Sequence, residues 1–214
     1  VMSEDNKDRD IIAITEDGSY CVQLLLVKNG KLIGQEHFIL KGTRGEDEKE
    51  VMSSFLQQYY EQAPQLPDEI LINTEINNRE ILADRLKQLK GKQVKIKIPQ
   101  KGNKKRLIEM ALKNAKQNLK KESIKETKEE LKERLKENEG QIIRTNDLKK
   151  TKLTFPIEDF QESFLWDLTV ELPPSKIGKI QNELKEKDEI LRLMVTKKPK
   201  SEIQKNQNQS KQEQ

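Results

Sequence analysis

Two groups of side chains in this 214-residue sequence have types and spacings suited to chemistry, and both are cationic. Lys95 and Lys97 sit on a short alternating run, and Lys101, Lys104, Lys105 and Arg106 follow in the stretch PQKGNKKR. Closely spaced ammonium and guanidinium groups bind phosphate, and at a helix start they add to the unpaired N–H groups found there. A cationic start is unfavourable to an isolated helix, so four cations there point to a bound polyanion; the competing reading is a solvated lysine-rich face. The second group is Lys149, Lys150 and Lys152, ahead of a strand that reaches Phe155, with Arg192, Lys197 and Lys198 flanking a later predicted strand. Basic residues beside a sheet aromatic can hold a backbone and stack a base. For the aromatics the favoured reading is packing, with Phe155, Phe160, Phe164 and Trp166 in a core or against a hairpin, while the lysines fit either a ligand or a solvated surface.

Other chemistries find little footing. A two-metal nuclease needs several carboxylates converging on ions a few ångströms apart. A ribonuclease-H arrangement would place an acid inside the first strand, but that strand's interior reads Ile11-Ile12-Ala13-Ile14, with Asp10 at its edge and Glu16-Asp17 in the turn. The later strand Ile70-Leu71-Ile72 ends in Asn73, a neutral amide. His37 is the single histidine and reads as a strand-face residue, so a zinc site has no ligand set. Cys21 lies in an apolar run without an activating neighbour and reads as a core thiol. Gly42 to Gly45 is not followed by Lys-Ser/Thr, so there is no phosphate-binding P-loop. We therefore expect no catalytic residue, no metal and no cofactor.

Composition and charge limit the setting. The chain is 33% hydrophobic and 36% charged with only 4% aromatic residues, so any core must be built from Ile, Leu and Val. A lone cysteine excludes an internal disulfide framework and fits a reducing cytosol. No apolar run reaches the length of a membrane span and no signal-peptide pattern opens the sequence, which together lead to the expectation of a cytoplasmic protein with no membrane partner. The first residue is Val1, consistent with a fragment or an unusual start. The net charge of +4 hides an asymmetry: residues 1–84 hold 8 basic against 17 acidic side chains, residues 85–121 hold 14 against Glu109 alone, and residues 122–214 hold 19 of each. The middle block is a phosphate-backbone footprint without sequence specificity of its own.

The elements that must position these residues read as follows. A strand at 10–14, a Glu16-Asp17-Gly18 turn, an apolar strand at 20–27, a tight Asn29-Gly30 turn and a strand at 31–40 make an antiparallel meander. A helix over 50–62 should turn Val51, Phe55, Leu56 and Tyr59 inward. A strand at 69–73 and a helix over 79–89 follow, the helix with Ile81, Leu82, Leu86 and Leu89 on one face and Gly91 as its stop. The strand Val94, Ile96, Ile98 runs into a Gly102-Asn103 turn and a helix with Leu107, Met110, Ala111, Asn114 and Leu119 inward. The order βββαβαβα suits a ribonuclease-H-like α/β sheet.

Three stretches of this half, DRDIIAITEDGSYCVQLLLVKNGKLIGQEHFIL, VMSSFLQQYYEQAPQLPDEILIN and KIKIPQKGNKKRLIEMALKNAKQNL, resemble the middle region of the UvrC family. The GKLIG hairpin, the SSFLQQYY helix and the PQKG turn before a basic helix carry the resemblance, which covers about residues 1–121. It implies a part in bacterial nucleotide excision repair, with DNA and the excinuclease complex as partners. In that family two nuclease domains flank this region, the second with a strand motif like FDISH and paired helix-hairpin-helix motifs; none is found here. The resemblance thus implies the incision machinery without either active site.

The second half reads as a charged helix over 123–138 with Ile124, Leu131 and Leu135 as its seam, ended by Gly140, then strands at 141–145, 152–157 and 163–171. A Pro173-Pro174 break, a helix capped by Ser175 and running to about Lys187, and a strand at 190–196 complete it. LKERLKENEGQIIRTNDLKKTKLTFPI and FLWDLTVELPPSKIGKIQNELKEKDEILRLMVTKK resemble ribosomal protein six of the bacterial small subunit, a βαββαβ ferredoxin-like family. That resemblance implies ribosomal RNA and a partner ribosomal protein as ligands. It also exposes a departure: the family's central first strand should fall at 116–122, where this sequence is polar and looks helical. The expected architecture is therefore α/β plus α+β: a non-catalytic ribonuclease-H-like mixed sheet over 1–121, an incomplete ferredoxin-like αββαβ unit over 122–198, and a disordered tail over 199–214. The leading functional expectation is a nucleic-acid-associated module of the UvrC type joined to an RNA-binding segment. A ribosomal protein with an acquired extension, a fragment of an excinuclease, and an artefactual joining of two genes are the alternatives.

Overall fold

A computed structural model describes residues 7–43, 45–146, 149–157, 160–187 and 190–199. They divide into two compact units after Ser123.

The first unit is a five-stranded mixed sheet with helices on both faces. Strands β1 (Arg9–Glu16), β2 (Tyr20–Lys28) and β3 (Lys31–Leu40) form the antiparallel meander, and β4 (Glu69–Ile72) and β5 (Lys95–Lys97) add to β1 in parallel, giving the order β3-β2-β1-β4-β5. This is a ribonuclease-H-like sheet. Asn29 and Gly30 both take positive φ, as a two-residue hairpin with right-handed twist requires. The central strands β1, β2 and β4 are buried almost throughout, which is why their sequences read as apolar runs instead of alternating ones. β3 is an edge strand, largely exposed, with a bulge in its ladder opposite Leu26 and Val27.

Helices α1 (Glu48–Gln62) and α2 (Arg79–Lys90) cover one face, where Ile12, Ile14, Val22, Leu24, Ile70 and Ile72 meet Met52, Leu56, Leu82 and Leu86. Asp47 caps α1, and Gly91 closes α2 in the left-handed region with its N–H on the Lys87 carbonyl. The expected inward set is partly corrected. Met52 and Tyr60 are buried on α1, while Phe55 and Tyr59 are partly buried and stack with each other beside Phe38. On α2, Ile81 and Leu89 face outward, 64% and 47% exposed, because so short a helix has only the Leu82–Leu86 stripe against the sheet.

The opposite face is covered by the first part of α3 (Gly102–Glu137). Leu107, Ala111, Ala115 and Leu119 recur every fourth residue and, with Ile108, pack on Ile11, Ala13, Leu25, Leu71 and Cys21. The two alanines are fully buried and let the helix backbone approach closely. Met110 is only partly buried, and Asn114 likewise, in place of the full burial expected of them. Asn118 Nδ2 donates to Gln23 Oε1 at 2.9 Å, and Gln23 Nε2 donates to the Glu36 carbonyl at 2.9 Å, so the one buried amide of β2 is satisfied on both atoms. The two separate helices expected over 104–119 and 123–138 are one 36-residue helix. Nothing between Asn103 and Glu137 is Gly or Pro, and the change of apolar seam near residue 122 does not by itself break a helix.

The second unit holds the last part of α3, β6 (Gln141–Thr145), β7 (Lys149–Ile157), β8 (Phe160–Leu165), β9 (Leu168–Glu171) and α4 (Pro174–Lys185). β6 pairs with β9 and β7 with β8, each antiparallel, so one long hairpin is divided into two ladders. The single strand expected over 163–171 is thus split at Trp166 and Asp167. Trp166 Nε1 donates to Thr145 Oγ1 at 2.9 Å and Asn146 N donates to the Asp167 carbonyl at 3.1 Å across the interruption. A small core joins Leu135, Ile180 and Leu184 with Leu131, Ile142, Leu168 and Val170. α3 ends with Glu139 at positive φ, not with Gly140; the glycine instead makes room, since a Cβ there would sit 2.8 Å from the Leu135 carbonyl oxygen and 2.9 Å from Leu172 Cδ1. α4 begins at Pro174 after Pro173, which leaves Ser175 inside the first turn instead of at the cap.

The strand expected over 190–196 does not form: residues 190–199 carry no regular element. Residues 116–122 are helical within α3, and they are where the family pattern would supply the central strand for that last strand to pair with. Without a partner a lone strand leaves its backbone groups unmet by a ladder. The unit is accordingly an incomplete ferredoxin-like region. The expected disordered tail lies, from residue 200 on, outside the described residues. Among the described residues no helix is long and apolar enough to cross a membrane.

Candidate nucleic-acid interface

The six cations of the first group lie along the segment from β5 into the first turns of α3, and of these Lys97 and Lys104 converge on one carboxylate. Lys95, Lys101, Lys105 and Arg106 are exposed, and α3 opens without an acidic residue in its first turn. Lys105 lies 3.9 Å from Glu109 one turn on, a surface contact of small worth. Lys113 and Lys116, outside the expected site, continue the exposed cations further along α3.

Lys97 and Lys104 are differently employed. Both reach Glu69, the first residue of β4, whose carboxylate is buried at 3% exposure. Lys104 Nζ donates to Oε1 at 2.8 Å and to Oε2 at 2.6 Å, Arg9 Nε donates to Oε2 at 2.7 Å, and Lys97 Nζ lies 3.1 Å from Oε1. Burial pushes the Glu69 carboxyl up, but the hydrogen bonds from Lys104, Arg9 and Lys97 overcome it and leave the group at about 2. Arg9 and Glu69 are register partners in the parallel β1–β4 ladder, and Glu69 is partner to Lys95 across β4–β5. Sequence reasoning missed both Arg9 and Glu69. The signal available was positional: each is a charged residue at a strand position whose neighbours two along, Ile11 and Leu71, are core.

The second group lies on the far ladder of the long hairpin. Lys149, Lys150 and Lys152 are exposed, and Phe155, on the same strand, is 79% exposed with Leu165 at 60%. The favoured reading that packed Phe155 away is therefore corrected: the second unit's core is built on the β6–β9 ladder and does not include it. Phe164 and Trp166 are partly buried, the latter under Lys128 Nζ at 5.1 Å, while the side chain of Phe160 lies outside the described residues. Arg192, Lys197 and Lys198 are exposed on irregular chain.

The residues weighed for catalysis are dispersed. Asp10 is not at the strand edge but inside β1, 8% exposed, accepting a hydrogen bond from Tyr60 Oη at 2.8 Å. Burial raises its carboxyl to about 6, with Asp8 adding to the rise and Tyr60, Lys28 and Lys90 opposing it. Asn73 acts as backbone: its Oδ1 accepts from Ile14 N at 2.8 Å and its Nδ2 donates to the Ile14 carbonyl at 2.9 Å, extending the β1–β4 ladder past Ile72. His37 is exposed on β3, and Cys21 is buried with its thiol pushed up to about 11 by that burial. Among the described residues no three His, Cys, Asp or Glu side chains gather to hold a metal.

Comparison with known proteins finds two families along the chain. Residues 8–122 match the UvrC Ribonuclease H-like domain, and residues 111–197 match Ribosomal protein S6, the two matches overlapping within α3. The chain is 40% identical over 116 residues to the UvrABC system protein C of Thermoanaerobacter sp. (strain X514), which covers 54% of this chain and 19% of that protein. It is 40% identical over 109 residues to the protein of the same name from Clostridioides difficile (strain 630), covering 50% and 18%. The chain spans about a fifth of the length of the curated relatives it matches.

Proposed function

We propose that this chain, which belongs to the UvrC Ribonuclease H-like domain family through residues 8–122, is a non-catalytic nucleic-acid-binding module. Residues 1–121 form the DNA-associated part, and residues 122–198 form a second, RNA-associated part. The single observation behind the reading is the cluster of exposed Lys95, Lys101, Lys105 and Arg106 around the start of α3, with Lys97 and Lys104 beside them on Glu69. Its mechanism is electrostatic: these side chains take the place of counterions condensed on the ligand's phosphates, releasing those ions to solution, and the sheet serves as a scaffold between partners. DNA in a bacterial excision-repair complex is the partner this reading favours, and the cytoplasm is the compartment.

The non-catalytic part of the reading is supported by Asn73, a neutral amide with both polar atoms on the Ile14 backbone, and by Asp10, whose carboxylate inside β1 is buried against Tyr60 Oη. Exposed Phe155 beside Lys149, Lys150 and Lys152 favours a looped or single-stranded RNA for the second part, with ribosomal RNA and a small-subunit ribosomal protein as the partners its resemblance suggests.

The test is DNA binding by the full chain across a salt series. Replacing Lys101, Lys105 and Arg106 together with Glu should abolish binding. Replacing them with Gln should flatten the slope of log K against log salt by about 3, since each phosphate contact on duplex DNA contributes about 0.9. Unchanged binding by the charge-reversed variant would sink the reading.

A further inference from the structure

We infer that Glu69 is the positioning residue of this cationic surface: its buried carboxylate, held by Arg9, Lys97 and Lys104, locks the first turn of α3 to the sheet and so sets where Lys101, Lys105 and Arg106 present their charges. The inference rests on the reading above that these cations engage a phosphate backbone.

The contacts come from four separate elements: Arg9 on β1, Glu69 on β4, Lys97 on β5 and Lys104 in the first turn of α3. Oε2 takes Arg9 at 2.7 Å and Lys104 at 2.6 Å, and Oε1 takes Lys104 at 2.8 Å and Lys97 at 3.1 Å. A carboxylate has about four acceptor positions, so this one is saturated. Charge-assisted bonds of this length are the strong kind, and a buried acid held by them is costly to strip of its partners. Glu69 also supplies what α3 lacks. The first turn has no acid of its own, and cations at a helix start are opposed by the helix dipole and by one another. A carboxylate bonded to Lys104 relieves both, which accounts for part of the cationic start without any ligand.

Simple electrostatics and positioning predict opposite signs. An acid beside a phosphate-binding surface opposes the ligand, so its neutralisation should tighten binding if charge were the only consideration. If Glu69 fixes the helix start, neutralising it releases Lys97, Lys104 and the turn between them, and the ligand must then order them.

The experiment is Glu69→Gln in the full chain, titrated against a fluorescent DNA duplex at several salt concentrations. The expected result is roughly tenfold weaker binding despite the added positive charge, from the ordering of two freed lysines. Equal or tighter binding by the folded variant overturns the inference. A wild-type chain that fails to bind DNA would instead overturn the functional reading, and hydrogen exchange separates the two. The Arg106, Leu107 and Ile108 amides, bonded back to the first turn, should exchange faster in Glu69→Gln whether or not DNA binds; unchanged protection overturns the clamp. Should Glu69→Gln fail to fold, Lys104→Met leaves Arg9 and Lys97 on the carboxylate. It should speed exchange of the Arg106, Leu107 and Ile108 amides while Lys101→Met, which leaves Glu69 fully held, does not; equal exchange in the two variants overturns the inference.

Discussion

Replacing Asp10 with Asn should make the first unit more stable at pH 8 and no more stable at pH 4. Asp10 is 8% exposed within β1, and burial holds its carboxyl at about 6 against an ordinary value of 3.8. Between those values the folded state keeps a proton that the unfolded chain has lost, so stability falls as pH rises through this window. Above about 6 the ionised group costs its full amount. Two units at 1.36 kcal/mol each make that cost about 3 kcal/mol. Asn keeps an acceptor for Tyr60 Oη, which lies 2.8 Å from the carboxylate, but its new N–H group needs a partner, and an unmet one costs about 1 kcal/mol or more. The net gain is about 1–2 kcal/mol, or a melting temperature higher by about 4–8 °C for a domain of this size. Calorimetry at pH 4, 6 and 8 reads it. Fluorescence of Trp166, the single tryptophan, would report the other unit. A melting temperature lowered at pH 8, or a difference from wild type that is the same at pH 4 and pH 8, would refute the argument.

Two further substitutions test the packing. Asn73→Asp removes the donor to the Ile14 carbonyl and sets a carboxylate against it, so the first unit should lose about 1–3 kcal/mol at neutral pH, measured by urea unfolding. Gly140→Ala places a methyl 2.8 Å from a backbone oxygen that cannot move without unwinding the end of α3. The second unit should lose about 1–3 kcal/mol, seen as an earlier Trp166 fluorescence transition with the first unit's unchanged.

The meander was legible because its turn residues and apolar strands agree: Asn29-Gly30 takes the positive φ its hairpin needs, and β2 is buried as its unbroken apolar run implies. Helix faces were legible only to within a residue. On α2 the apolar stripe is wider than the contact, so Ile81 and Leu89 read as core and are not. The cationic block was visible as composition, but its internal division was not. That Lys104 serves Glu69 while Lys101 does not depends on a contact across 35 residues of sequence, which no local pattern records. The missing last strand of the second unit was legible in principle, since its pairing partner had already read as helix.

The strand order leaves β3 as a ten-residue edge, and its outer backbone groups have no ladder among the described strands. Leu32 and Ile33 stand exposed on it, and Phe38, Ile39 and Leu40 lie toward its other end. Lys31 and Glu36, with the bulge opposite Leu26 and Val27, are what keep this track from templating a neighbour's strand. An apolar residue in place of Glu36 would bring the two apolar ends closer to one continuous strip. The chain's resistance to intermolecular sheet growth is then carried by two charged side chains and one irregularity in register, at the end of the sheet opposite β5.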